Sequence, residues 1–280
     1  MNDRRYYSAR TGKGERGKPD LTMLRRLFLA DYKRLVQDGY FDQVFGYHDG
    51  RNYVEGTLGA DIGAEMFRRL GKSDLWPIEK HSQTYSEEDL FDVMEFLHDC
   101  AAKRIVIQEP FSGVPLPLVT MNSEAGRADF RSAMDAILRD YRNGYQVSED
   151  GEVLALGEEH MQPLLEQELP EYDPENVDSR VKAAVRKFRH HTPTLEDKQE
   201  AVRQLADVLE FLHPKLEGLL PSKEENELFM IANKFGIRHH TADQKTQYEK
   251  GIWLDWIFYC YLNTIHVSVN LLKRAEESSQ

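Results

Sequence analysis

Apolar residues recur at helical spacing along most of this chain. Between Leu21 and Gln37 they fall at Leu21, Leu24, Leu27/Phe28, Tyr32 and Leu35, the rhythm of a helix that buries one face. Gly39 ends that run, and the aromatic, Gly-rich stretch from Tyr40 to Gly59 reads as a loop or short strands. A short helix is predicted at about 60–70, closed by Gly71. Ser86, followed by Glu87, Glu88 and Asp89, supplies the N-terminus of a helix reaching about Lys103. Its inner face would be Leu90, Val93/Met94, Leu97 and Ala101. Ile105–Gln108 predicts a short strand, and Pro110, Pro115 and Pro117 exclude regular structure just after it. Ser123 begins another helix, with Phe130, Met134, Ile137/Leu138 and Tyr141 inward and Gly144 just past its end.

The clearest switch to a two-residue period comes next. Tyr145–Glu149 and Glu152–Leu156 flank Asp150-Gly151, a dipeptide suited to a two-residue hairpin turn. That loop length would pair Val147 with Leu154 and Tyr145 with Leu156, one β-hairpin over 145–156. Glu166–Asp178 then carries six acids with Pro170 and Pro174, which marks a linker. The expected organisation is an N-terminal α+β domain over 1–170 with that hairpin, and a helical bundle over 176–280.

Four helices are predicted in the bundle. The first spans 177–190 and is basic on its surface. Thr194 caps the second, with Asp197 three residues on and Val202, Leu205, Val208/Leu209 and Leu212 as its stripe; it ends near Pro214 or Gly218. Ser222–Glu225 forms a capping box for the third, and the fourth runs over 252–275. The last helix has no charge from Trp256 to Leu272, near the lower limit for crossing a membrane. Yet Asp255, Tyr259, Asn263, His266 and Asn270 fall within a stripe about 80° wide. A lipid-facing helix has no use for such a stripe, so a bundle helix is expected, with no membrane partner.

Composition sharpens this picture at two points. The 280 residues carry a net charge of -12, but residues 176–280 hold 15 basic and 15 acidic side chains, so the whole excess of acid lies in 1–175. Six of the ten histidines fall in the neutral part, where a polyanion is repelled least. The first 26 residues are a local exception, with eight Lys/Arg against three acids. Hydrophobic residues at 40% allow real cores, and mean hydropathy is -0.62. Met1–Lys18 is polar without an apolar core, so a cytoplasmic chain is expected. Cys100 and Cys260 read as free, buried thiols.

Candidate chemistry concentrates in Glu225–His240. Leu228, Ile231 and Phe235 form an apolar stripe, and Asn233, Lys234, Arg238, His239 and His240 follow as a dense polar cluster. A histidine is the usual acid or base near neutral pH, and Arg or Lys grips a phosphodiester. The same residues would also close a helix favourably against its dipole. Adjacent histidines without a third ligand argue against zinc, and no cofactor or metal is expected.

Asn233, Lys234, Gly236 and His239 resemble the Asn-Lys-x-Gly-x-x-His pattern of the C-terminal HEPN-like domains of abortive-infection proteins. The helix-then-hairpin with Gly-Tyr-Gln-Val-Ser-Glu-Asp-Gly-Glu-Val (144–153) is similar to N-terminal domains of the AbiJ type. The resemblance implies a mainly α antiviral defence protein with a four-helix HEPN-like bundle that binds RNA and pairs as a homodimer. A protein partner encoded in the same defence system is also implied. In such ribonucleases cleavage needs no metal: a His drives 2′-hydroxyl attack and an Arg steadies the phosphate. His239, Arg238, Asn233, Lys234 and His240 are the catalytic candidates; Arg186, Arg189 and His266 are the substrate-binding ones. Ala232 stands where the family carries Arg, so that position supplies no charge to a transition state. Two readings stay open: a metal-independent endoribonuclease, and a non-catalytic module that dimerises through the bundle and binds RNA or a protein. In the N-terminal part, Thr11-Gly-Lys-Gly lacks the spacing of a phosphate-binding loop.

Overall fold

The computed structural model describes residues 7, 17–48, 52–107, 118–157, 161–190, 193–216 and 249–278. The chain is mainly helical and divides into two compact units, Met1–Ala155 and Leu156–Gln280.

The first unit opens with α1 (Leu21–Gln37), whose N-terminus is capped by the Asp20 carboxylate accepting from the Met23 N–H. Leu24, Phe28, Tyr32 and Leu35 are buried, while Leu27 is exposed at the stripe's edge. A single turn, α2 (Asp42–Phe45), leads to a minimal ladder of β1 (Tyr47–His48) and β2 (Tyr53–Val54). Helices α3 (Ile62–Leu70) and α4 (Ile78–His81) follow, and Gly71 ends α3 in the left-handed conformation at φ +70. Helix α5 (Glu87–Cys100) starts on a reciprocal box, Ser86 with Asp89, and its predicted inner face is buried.

Strand β3 (Lys103–Ile107) pairs antiparallel with β4 (Leu118–Asn122), which runs straight into α6 (Ser123–Leu138). At the start of α6, Gly126 lies against the Ala102 backbone so closely that a Cβ would overlap it. Phe130, Met134, Ile137 and Leu138 bury the inner side of α6 in one core with α1 and α5.

The hairpin of β5 (Tyr145–Val147) and β6 (Val153–Ala155) is present, but its register differs by one residue from the two-residue-turn expectation. Val147 faces Val153, and Tyr145 faces Ala155. Ser148 N–H donates to Glu152 O, and Gly151 N–H donates to Ser148 O at 3.0 Å. The loop is therefore three residues, Glu149 to Gly151, with Gly151 at φ +93 closing it as a bulge. An Asp-Gly pair serves either loop; the positive φ at the last loop residue selects the longer one. Two carboxylates hold the ladder's outer sides. Asp135 of α6 accepts from the Val147 N–H at 2.8 Å, and Glu95 of α5 accepts from the Val153 N–H at 2.8 Å. Three two-stranded ladders thus occur among the described residues, where one hairpin was expected.

The second unit contains α7 (Gln162–Glu166), a wide turn at Pro174–Asp178, α8 (Ser179–Phe188), α9 (Leu195–Leu216) and α10 (Lys250–Ser278). Val177 belongs to its core and Leu169 and Tyr172 pack against it, so residues expected as linker pack with the second unit. Thr194 and Asp197 cap α9 reciprocally. Ala201, Val202, Leu205, Val208, Leu209 and Leu212 of α9 are buried against Leu254, Ile257, Phe258, Tyr261, Leu262 and Ile265 of α10. Lys198 pairs with Asp255, and Leu195 lies beside Gly251, so α9 and α10 run in the same direction. The expected third bundle helix, from Ser222, lies outside the described residues; α8, α9 and α10 stand for the other three.

Candidate nucleic-acid interface

Helix α8, Ser-Arg-Val-Lys-Ala-Ala-Val-Arg-Lys-Phe, contains no acid. Its apolar positions Val181, Ala184 and Phe188 fall at i, i+3, i+7 and are buried, which turns Lys182 and Arg186 to the other side. Lys182 and Arg186 are exposed at i, i+4, one above the other and about 6 Å apart along the axis, and exposed His190 follows just past the helix end. Exposed Arg180 and half-buried Lys187 flank the row. Arg186 and Lys187 lie in the last turn, where the helix dipole favours positive charge.

The end of this ridge is anchored by aromatic and ionic packing. Phe188 stacks face to face on Phe258 of α10, ring centroids 3.7 Å apart, and meets Tyr259 edge-on at 5.6 Å. The Lys198 ammonium lies 5.5 Å from the Phe188 ring and bonds both Asp255 oxygens, at 2.6 and 2.9 Å. Asp197, one residue before Lys198, is held below the ordinary carboxylate range. Thr194 hydroxyl and N–H bonds do most of this, and the nearby charges of His190 and Lys187 add to it. One acid thus sits at the ridge's end, already committed to capping α9.

Of the sequence candidates, Arg186 is exposed on the ridge and Arg189 is buried just past the end of α8. His266 does not join them. It lies eight residues beyond Phe258 on α10, about 12 Å farther along the axis, and is 4% exposed. Its polar stripe is the margin of the buried face: Tyr259 and His266 are inside, Asn263 and Asn270 outside. Asn270 donates to the His266 carbonyl at 2.7 Å. His239, Arg238, Asn233, Lys234 and His240 lie outside the described residues. Lys182, Lys187 and His190 were not singled out from sequence, although an acid-free helix with three buried apolar positions was the available signal.

Among the described residues no cluster of His, Cys, Asp and Glu could hold a metal ion, and no helix is long and apolar enough to cross a membrane. Cys100 is buried, and burial pushes its thiol up to about 12, so it is no nucleophile. Comparisons with family models, with curated proteins and with solved structures found no match for this chain.

Two buried imidazoles give the protein a pH response. Burial, then the Arg127 and Arg131 guanidiniums, hold His98 below its ordinary 6.5, although Asp99 pulls the other way; burial does the same to His266. The folded chain favours both rings neutral, so as pH falls the unfolded chain takes up protons first. This part of the stability is whole above about pH 6.5 and is lost progressively below it. Carboxylates held low, such as Asp129, add their loss only nearer the ordinary 3.8. Thermal midpoints should fall between about pH 7 and pH 5 in the wild type, and His98→Gln with His266→Gln should flatten that slope. An unchanged slope in the double variant would assign the response elsewhere.

Proposed function

We propose that the second unit binds RNA along the cationic ridge of α8, in a chain of the abortive-infection defence kind. One observation carries this reading: a chain of net charge -12 places the exposed cations Lys182 and Arg186, flanked by Lys187, on a helix without an acid. A polyanion lying along such cations releases its counterions. The choice of RNA rests on the resemblance of Asn233, Lys234, Gly236 and His239 to the HEPN-like pattern. With Ala232 where that pattern carries Arg, binding rather than cutting is the activity expected.

Fluorescence anisotropy with a labelled single-stranded RNA, across a salt series, tests the proposal. Each phosphate contact contributes about 0.7 to the slope of log affinity against log salt. Lys182→Ala with Arg186→Ala should therefore lower the slope by about 1.4 and weaken binding at least tenfold at low salt. Both side chains are exposed, so the melting temperature should stay put. Wild-type protein that ignores RNA at low salt, or a variant that binds as tightly, would sink the reading. RNA recovered intact after incubation with EDTA fits binding alone; fragments that vanish with His239→Ala would replace it with the nuclease reading.

A second reading, a non-catalytic module that works through protein contacts, is favoured by Trp253, Trp256 and Val267, which α10 leaves 40%, 48% and 49% exposed.

A further inference from the structure

Helix α6 carries two guanidiniums that the first unit does not neutralise. Arg127 and Arg131 stand at i and i+4, about 6 Å apart along the axis, and both are half-buried. Other cations of this unit sit against carboxylates: Lys72 with Asp89 and Asp92, Lys103 with Asp129, Arg104 with Asp42 and Arg142 with Glu87. Among the described residues neither Arg127 nor Arg131 forms an ion pair with a carboxylate. Arg127 reaches only the Asp99 carbonyl, at 3.4 Å, and an Arg131 nitrogen lies 3.5 Å from Nε2 of His98. His98 is 1% exposed. Its Nδ1 has no hydrogen-bond partner among the described residues, and neither has the buried Nε of Arg127. An Asp99 oxygen stands 3.8 Å from that Nδ1, on a side chain that is itself exposed. Both guanidiniums act on the imidazole strongly enough to oppose its protonation, so three nitrogen-bearing groups converge on one place. Half-buried charge without a counter-charge costs stability. Like charges at i, i+4 and unmet donors in a folded core add to that cost.

We propose that Arg127 and Arg131 form a receptor for the phosphoryl group of a small phosphorylated molecule. A guanidinium presents N–H donors in a planar fork, and a terminal phosphate offers three oxygens and up to two negative charges. Two forks one helical turn apart hold such a group from both sides. Arg131 also lines an open groove of about 580 Å³ along α6, with Ser132, Asp135, Arg139 and Asp140. The rest of the molecule would lie there, where Ser132 and two carboxylates suit hydroxyl groups and disfavour further phosphates. The charge around the site selects against a long nucleic acid too. The whole acid excess of the chain lies in residues 1–175, which repels a polyanion yet leaves this local pair of cations open to one compact anion. The site lies on a different unit from the α8 ridge, and the inference does not depend on RNA binding.

Calorimetric titration of the full chain with inorganic phosphate, against chloride at matched ionic strength, should show binding to one site per chain. Adenosine monophosphate is the second probe. Tighter binding than phosphate marks a phosphorylated small molecule as the occupant, equal binding marks the phosphoryl group alone, and both support the proposal. Arg127→Gln and Arg131→Gln should each weaken phosphate binding about tenfold. Lys33→Gln, which removes an exposed cation of α1, should leave it unchanged. Arg127→Lys with Arg131→Lys keeps both charges, and with them the fold, but loses the forks; it should weaken binding about fivefold. A wild type that binds neither phosphate nor adenosine monophosphate overturns the proposal, even if a 5′-hydroxyl RNA then proves to contact Arg127. Phosphate binding that survives both Gln substitutions, or that disappears instead with Lys182→Ala and Arg186→Ala, overturns it as well.

Discussion

Gly151→Ala should destabilise the first unit by about 2–4 kcal/mol, a fall of about 5–15 °C in its melting temperature. Two separate costs add at this position. The backbone sits at φ +93, where a side chain with a Cβ is strained by about 1–2 kcal/mol. The new methyl would also overlap the Nδ1 of His98 and come within 3.0 Å of its Cε1 and Cγ. That ring cannot swing clear. It is 1% exposed, packs at 6.2 Å from the Phe130 ring and lies 3.5 Å from an Arg131 guanidinium nitrogen. Gly151→Asn separates the costs, because Asn tolerates positive φ but keeps the overlap. It should recover only part of the loss. Chemical denaturation of each variant measures this, and a Gly151→Ala midpoint equal to wild type would show that the loop rearranges freely.

Phe258→Ala should remove about 3–5 kcal/mol from the second unit. Phe258 is 0% exposed, and its ring lies parallel to that of Phe188 with a 2° interplanar angle. Truncation leaves a cavity between α8 and α10 and deprives Phe188 of its stacking face. Phe188 in turn lies beside the Lys198 ammonium that pairs with Asp255, so the register of α9 on α10 loosens with it. Hydrogen exchange read peptide by peptide should show α8 and the first half of α10 opening faster while the first unit is unchanged. Protection unchanged in α8 would mean that helix is held by Val181 and Ala184 alone. If the ridge of α8 binds RNA as proposed, this substitution should weaken that binding too, since the ridge's orientation depends on this stack.

The helical skeleton was legible in the sequence wherever an apolar stripe met a capping residue. Leu21–Gln37 emerges with the bounds its periodicity and Gly39 predict, and Ser86 with Asp89 forms the capping box that starts α5. The strands were harder. Ile105–Gln108 predicted part of β3, but its partner Leu118–Asn122 lies beyond three prolines that mask any pattern. Asp150-Gly151 located the hairpin correctly and misjudged its register, because the dipeptide permits two loop lengths and only the backbone angle distinguishes them. For the site, the basic surface of the 177–190 helix was visible as a run free of acids from Ser179 onward. His266 allowed two readings, a core histidine or a neighbour of the polar cluster, because its stripe straddles the border between core and solvent; it is buried. The cluster Asn233–His240 lies outside the described residues and keeps only the weight its sequence gives it.

The two carboxylates beside the hairpin have a further effect on the chain's behaviour in crowded solution. A ladder of only two strands offers an edge on each side, and an open edge invites a stranger's backbone to zip onto it. Here Asp135 occupies the outward amide of one strand and Glu95 that of the other, each a negative group set where an incoming strand would need to bond. The hairpin is thereby protected from templating intermolecular β-structure, and loss of either acid should show itself as a tendency to aggregate.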